Sequence, residues 1–273
     1  MKKTVVLLAA VLLLALLSAS GLAAKGISVK AKEIDAVKDL DKAVANILVL
    51  LQEEDTTRMM AVASLNTATG KAVMVSLDPE LMVEIPEAGG EVPLKDVYAM
   101  GDKKSKGLLA VRTVNRLLGL NIGMYLAMDM GMIPKLVETV ESCWLTPTPE
   151  EDIALGLEED TWALDGEQTL AYMHLVLPND EPGRNRTYEV MVQLLRQAAE
   201  VDFMSMMGVG TTLLSSMDTN VGIMSAVSLG SSLKSGEHHQ DLFLPQEEAV
   251  LQKEPLRADA GLMRARLLEV VYE

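Results

Sequence analysis

The chain is poor in the residues that most often do chemistry or lock a fold covalently. It has one cysteine, Cys143, three histidines and two tryptophans among 273 residues, and aromatic side chains make up only 3%. A lone cysteine excludes an internal disulfide. Its neighbours Ser142 and Trp144 offer no base to activate a thiolate, so a buried small hydrophobe is the expectation there. Positive charge is scarce as well. Without Lys2 and Lys3 the basic residues number 22 against 39 acidic ones, a net of −17. That balance excludes nucleic acid as a ligand class, because phosphate binding depends on clustered Lys and Arg that release counterions.

What the chain does have is apolar bulk. Residues 4–24 carry no charge, follow Lys2-Lys3 and are rich in Leu, Val and Ala. Such a leader is either a secretory signal, with Gly21-Leu22-Ala23 as small residues before a cut, or an uncleaved membrane anchor with its lysines in the cytoplasm. Both readings send the remainder out of the cytoplasm. The rest is long enough for one large domain and too short for two, and it contains no internal repeat.

The hydrophobic pattern predicts the elements. Residues 25–44 read as a stalk or a first helix, with Ile34, Val37 and Leu40 at helical spacing, followed by one domain over 45–273. Residues 45–51 form a short continuous apolar run, the pattern of a strand buried on both faces. Residues 60–65 and 72–77 repeat it across turn residues and read as a hairpin. Helices are predicted over 107–118, closed by Gly119, and over 132–140 with Pro134 in the first turn, with a strand at 124–128 between them. Residues 187–201 are amphipathic, with Val190, Leu194, Leu195 and Ala198 on the apolar stripe and Gln193, Arg196 and Gln197 opposite. The 204–217 and 221–233 stretches read as two short Met-rich helices, 241–245 as a late strand and 261–272 as a closing helix. Strands and helices alternate, which gives an α/β sandwich with helices on both sides of a sheet.

One stretch is more specific. In Leu164-Asp165-Gly166-Glu167-Gln168-Thr169-Leu170-Ala171-Tyr172, Asp165 and Gln168 are spaced for a reciprocal capping box, and Leu170 and Met173 can face a core. Together with Pro182-Gly183-Arg184 the stretch resembles the signature of the LytR-CpsA-Psr family of bacterial cell-envelope proteins. Asn46-Ile47-Leu48-Val49-Leu50, Ser64-Leu65-Asn66, Ser76-Leu77-Asp78-Pro79-Glu80, Val83-Glu84-Ile85-Pro86 and Pro93 to Asp102 match further family blocks in order. The resemblance implies a three-layer sandwich, a central mixed β-sheet flanked by helices. It also implies a phosphotransferase that moves glycopolymer from polyprenyl pyrophosphate to peptidoglycan, with magnesium and several arginines on the pyrophosphate.

Against that pattern, proline stands for the arginine before Glu80, His174 and Val176 for those after the signature tyrosine, and Thr56-Thr57-Arg58-Met59 for Arg-Ser-Asp-Thr. Phosphoryl transfer rests on positioning and on cations that neutralise oxygens, work for which bidentate guanidinium is well suited. The candidate phosphate contacts are Arg58 and Arg184, and the candidate substrate contacts are Asp180, Glu181 and His174. Glu53 and Asp55, in the acidic run that includes Glu54, are the candidate magnesium ligands. His238-His239 is expected to be an exposed polar loop rather than a zinc site. The 18 methionines suit an irregular apolar cavity as well as ordinary core filling. Three readings follow: an extracytoplasmic polyprenyl (pyro)phosphate-binding domain with a degenerate active site, an active magnesium-dependent transferase, and an envelope interaction module without lipid.

Overall fold

A computed structural model describes residues 26–34, 43–68, 72–158, 162–178, 180, 185–198, 217–221 and 240–272. The chain first makes three antiparallel strands in succession, β1 (Val44–Glu53), β2 (Thr56–Asn66) and β3 (Ala72–Leu77). A small hairpin of β4 (Met82–Ile85) and β5 (Gly90–Pro93) leads to the short helix α1 (Val97–Met100). Helix α2 (Lys106–Leu118) ends at Gly119, whose φ of 60° is a left-handed conformation that favours glycine. Strand β6 (Ile122–Asp129) then lies parallel to β1, as a crossover helix allows.

Helix α3 (Ile133–Thr139), with proline in its first turn, is followed by β7 (Cys143–Trp144), α4 (Pro149–Leu155), β8 (Ala163–Leu164), α5 (Gly166–His174) and α6 (Arg186–Ala198). The chain closes with β9 (Asp218–Thr219), β10 (Gln240–Leu244), the hairpin β11 (Val250–Lys253) and β12 (Leu256–Ala258), and α7 (Ala260–Tyr272). The main sheet is mixed, in the order β10-β3-β2-β1-β6-β9.

The run expected to be buried on both faces is central. Leu48 and Leu50 face one core together with α2 and α7, whereas Ile47, Val49 and Leu51 face a second core with α3, α5 and α6. Three layers result. Leu48, Leu50 and Leu51 have no exposed surface, and each contributes about 1.5–3 kcal/mol by leaving water. Two matched sequence blocks meet across the β1–β2 ladder. Asn46 pairs with Ser64, and the Ser64 hydroxyl donates to Asn46 Oδ1 at 2.6 Å. At the far edge, Asp218 accepts the hydroxyls of Tyr98 at 2.8 Å and Tyr125 at 3.0 Å, which ties β9 to α1 and β6. Burial, with the Asp218 charge beside them, raises both phenol pKa values.

In the segment read as a stalk or first helix, Ile27 is bridged to Gly101, Val29 is buried and Ala31–Glu33 forms a 3₁₀ turn, while Val37 and Leu40, which carry the helical spacing, lie outside the described residues. The bridge supplies the backbone partners that a helix would otherwise provide. Gln197, assigned to the solvent stripe of the 187–201 helix, is buried: its amide donates to Ser142 O at 2.7 Å, and its Oε1 accepts the Trp144 N–H at 2.8 Å. A short strand that lacks a neighbour on one side recruits that side chain. The apolar stripe itself holds at Val190 and Leu194, with Met191 beside them. The two tail helices expected within 204–233 lie outside the described residues, as do residues 35–42.

Candidate functional site

The turn between β1 and β2 places the first cluster. Residues Glu54 and Asp55 form the turn, Glu54 at a φ of 54°, and both are exposed. Just before it, Leu51 pairs with Met59 but Gln52 pairs with Thr57, so Arg58 is the extra residue of a β-bulge. A bulge re-aims a side chain at the end of a ladder, and here it brings the Arg58 guanidinium onto Glu53, with Nε at 2.6 Å and Nη2 at 2.5 Å from Oε2. The other oxygen of Glu53 lies 2.7 Å from His174 Nε2, at the last residue of α5. Burial alone would raise the Glu53 pKa, but hydrogen bonds from Arg58 and His174, and then their charges, hold it below its ordinary value.

Helix α5 starts as its sequence requires. Asp165 Oδ1 accepts the Gln168 N–H at 2.8 Å, and Gln168 Oε1 accepts the Asp165 N–H at 2.9 Å. Tyr172 and Met173 are buried and Leu170 is partly buried; the Tyr172 hydroxyl donates to Glu189 at 2.8 Å. Beyond the helix, Arg186 at the first position of α6 forms the second cluster. Its guanidinium is bound by Glu151 at 2.7 Å, by Asp180 through both terminal nitrogens, and by Leu175 O at 2.9 Å, and it lies 5.7 Å from the Tyr172 ring centroid. Asp180 first, and then Glu151, raise its pKa despite burial.

The core on this side of the sheet is rich in methionine. Met59, Met128, Met130, Met132, Met173, Met191 and Met217 are buried in the core under α3, α5 and α6, and Met74 and Met124 pack against it. The opposite core holds Met60 and Met263, with Met100 packed against it. Among the described residues, then, methionine is concentrated on the face whose end carries Glu53, Arg58 and His174. Cys143 belongs to the same core, where burial pushes its thiol up to about 12; it is inert at neutral pH, as expected.

The LytR_cpsA_psr family model matches residues 25–254. The chain belongs to the LytR-CpsA-Psr family. Similar solved structures include protein gbs0355 of Streptococcus agalactiae, which is 21% identical, with 84% of this chain and 88% of that one covered at a TM-score of 0.65. The LytR-CPS2A-psr family protein YwtF (TagT) of Bacillus subtilis, solved with bound octaprenyl pyrophosphate lipid, is 17% identical over 87% of this chain and 95% of its own, TM-score 0.65. TagT bound to LIIa-WTA is 16% identical with the same coverages and a TM-score of 0.66. At these identities the likeness establishes the fold, a mixed central sheet with flanking helices. No curated protein matches the chain.

Within the family frame, the sequence-predicted residues divide three ways. Glu53, Arg58 and His174 come together. Asp180 lies apart from them, engaged by Arg186. Arg184 and Glu181 lie outside the described residues, as do His238 and His239. Both oxygens of Glu53 are already engaged and Asp55 sits in the exposed turn; among the described residues no three His, Cys, Asp or Glu side chains gather for a metal. An ion bound at Glu53 would first have to displace Arg58 or His174, whereas Asp55 stands open in the turn. At Pro79, where the family pattern has arginine, the neighbouring Glu80 instead accepts from Lys95 at 2.6 Å.

Sequence reasoning missed Arg186. The available signal was its place: a cation in the first turn of a helix is disfavoured by the helix dipole and needs a fixed anionic partner. The Glu53 cluster also predicts a pH response. A folded-state pKa below the ordinary 4.5 means that the contribution of Glu53 is complete above that value and is lost as pH falls through the folded one. Urea unfolding of the chain between pH 3 and 7 should show this acid loss, flattened in Glu53→Gln. An identical acid limb in that variant would disprove the role.

Proposed function

We propose that this chain is an extracytoplasmic member of the family that holds a polyprenyl (pyro)phosphate lipid during attachment of glycopolymer to peptidoglycan, with little transfer capacity of its own. The observation that carries the reading is the methionine-rich layer on one face of the sheet, ending at Glu53, Arg58 and His174. Methionine is unbranched and polarizable, so such a layer can reshape around an isoprenoid chain. YwtF (TagT), whose fold this chain shares, binds an octaprenyl pyrophosphate lipid. Reduced transfer follows from charge. Arg58 and Arg186 are both committed to carboxylates, so neither is free to neutralise the oxygens of a pyrophosphate in a transition state. In this reading residues 1–24 hold the protein at the outer surface of a bacterial membrane, and no step depends on resident magnesium.

Native mass spectrometry of the chain, purified from bacterial membranes in mild detergent, tests the first half. A co-purified polyprenyl mass is expected, and a clean apo protein would overturn the reading. The second half predicts that magnesium releases no phosphate from geranylgeranyl pyrophosphate above background. Turnover that Arg184→Ala abolishes would establish the transferase instead.

A further inference from the structure

The point at which the chain enters the domain carries a charge pattern opposite to that of the molecule. Ile27 is locked into the segment that precedes α2: its N–H donates to Met100 O at 2.8 Å, its carbonyl accepts the Asp102 N–H at 2.9 Å, and Ser105 Oγ lies 3.1 Å from the same oxygen. The contact is too close for side chains. A Cβ at Gly26 would lie 2.5 Å from Asp102 N, and one at Gly101 2.5 Å from Lys106 Cα. This junction carries Lys30, Lys103 and Lys104 on its exposed surface, and Lys106 with its ammonium 5.5 Å from the Tyr98 ring. Lys25 precedes it in the sequence.

Lys103 and Lys104, like the exposed Lys135 and Lys253, have no carboxylate partner among the described residues, so no neighbour neutralises their charge. They also stand, with Lys106, at the N-terminus of α2, which has no acidic residue in its first turn, so their placement opposes the helix dipole. The nearby acids are Asp102, whose carboxylate is held by Ser105 Oγ at 2.7 Å and the Lys104 N–H at 3.0 Å, and Glu33, which accepts the Lys30 N–H at 3.1 Å. The four lysines outnumber them.

Only Lys25 and Gly26 separate Ala24, the last of the uncharged leader, from Ile27, three Cα steps that span at most ~10 Å. That is about one Debye length at physiological salt, so lysines at this junction feel the surface potential of the membrane in which the leader sits. We infer that Lys103 and Lys104, with Lys30, form a basic collar that seats the domain directly on an anionic bilayer surface, with phospholipid headgroup phosphates as the ligand. The inference rests on residues 1–24 being retained as an anchor. The collar does what a stalk could not: it fixes which edge of the sandwich faces the lipid.

The test uses the full chain mixed with vesicles of phosphatidylcholine alone or with about one-third phosphatidylglycerol. Flotation is followed by amine acetylation read by mass spectrometry. Expected is flotation with both vesicles, with acetylation of Lys103 and Lys104 several-fold lower on the anionic ones and restored at 1 M salt. Lys135, exposed on α3 over the opposite face of the sheet, should react equally throughout. In K103E/K104E, Lys30 should lose its protection while flotation persists. Flotation with unprotected lysines overturns the collar and leaves the anchor standing. Flotation on anionic vesicles alone, released by salt and by K103E/K104E, overturns the anchor and with it the inferred seating, leaving a basic patch that binds anionic lipid by itself. Flotation on neither overturns both.

Discussion

Glu151→Ala is expected to lower stability by about 3–5 kcal/mol, the usual consequence of removing one partner from a buried ion pair. Glu151 has no exposed surface and Arg186 is only 5% exposed, so neither charge can turn to water when the other is lost. Asp180 would still hold the guanidinium from its more exposed side, but the inner nitrogens would face a void. The pair also joins three helices, since Glu151 lies on α4, Arg186 starts α6, and the guanidinium caps Leu175 O at the end of α5. For a domain of this size the loss corresponds to a fall of roughly 10 °C in midpoint. Replacing the whole cluster, as in Arg186→Met with Glu151→Leu and Asp180→Asn, should recover most of it, because well-packed uncharged residues substitute for buried ion pairs at little net cost. Thermal unfolding of the two variants decides the matter. A shift below about 1 kcal/mol in Glu151→Ala would mean that water already reaches the pair.

The fold was largely legible because burial on both faces leaves a plain mark in sequence. The 45–51 run could be little else than a central strand, and β2, β3, α2 and β6 followed from apolar runs bounded by turn residues. The Asp165 and Gln168 capping box was equally local, so its two hydrogen bonds could be read from spacing. What could not be read were contacts between distant elements. Nothing near Gln197 announces that a two-residue strand needs its amide, and nothing near Ile27 announces a bridge to Gly101. The same limit applies at the site. Glu53, Arg58 and His174 were each recognised as polar positions in the family frame. Their convergence depends on a bulge that shifts Arg58 by one place, and a bulge depends on its partner strand. Asp180 was read as facing a substrate because its true partner, Arg186, was hidden in an unremarkable Asn-Arg-Thr sequence.

Gly166→Ala should be the most damaging single methyl group in the signature. A Cβ there would lie 2.5 Å from Pro134 Cα and 2.9 Å from its carbonyl oxygen, and this is backbone of α3 that cannot swing aside as a side chain would. Glycine at this place is a matter of closeness rather than of dihedral angle, since Gly166 is not among the residues with positive φ. The two helices must part, and overpacking of this kind costs about 1–3 kcal/mol, or roughly 5 °C. Parting them also moves Tyr172, Met173 and His174, which couple α5 to Glu189, to the methionine layer and to Glu53 respectively. Lipid retention should therefore fall along with stability. Gly123→Ala provides the comparison: its Cβ would meet nothing within 4 Å, so the same added methyl should change stability by no more than about 0.5 kcal/mol. If native mass spectrometry and thermal unfolding find the two variants alike, the signature glycine does not set the spacing of α3 and α5, and another residue must hold that layer over the sheet.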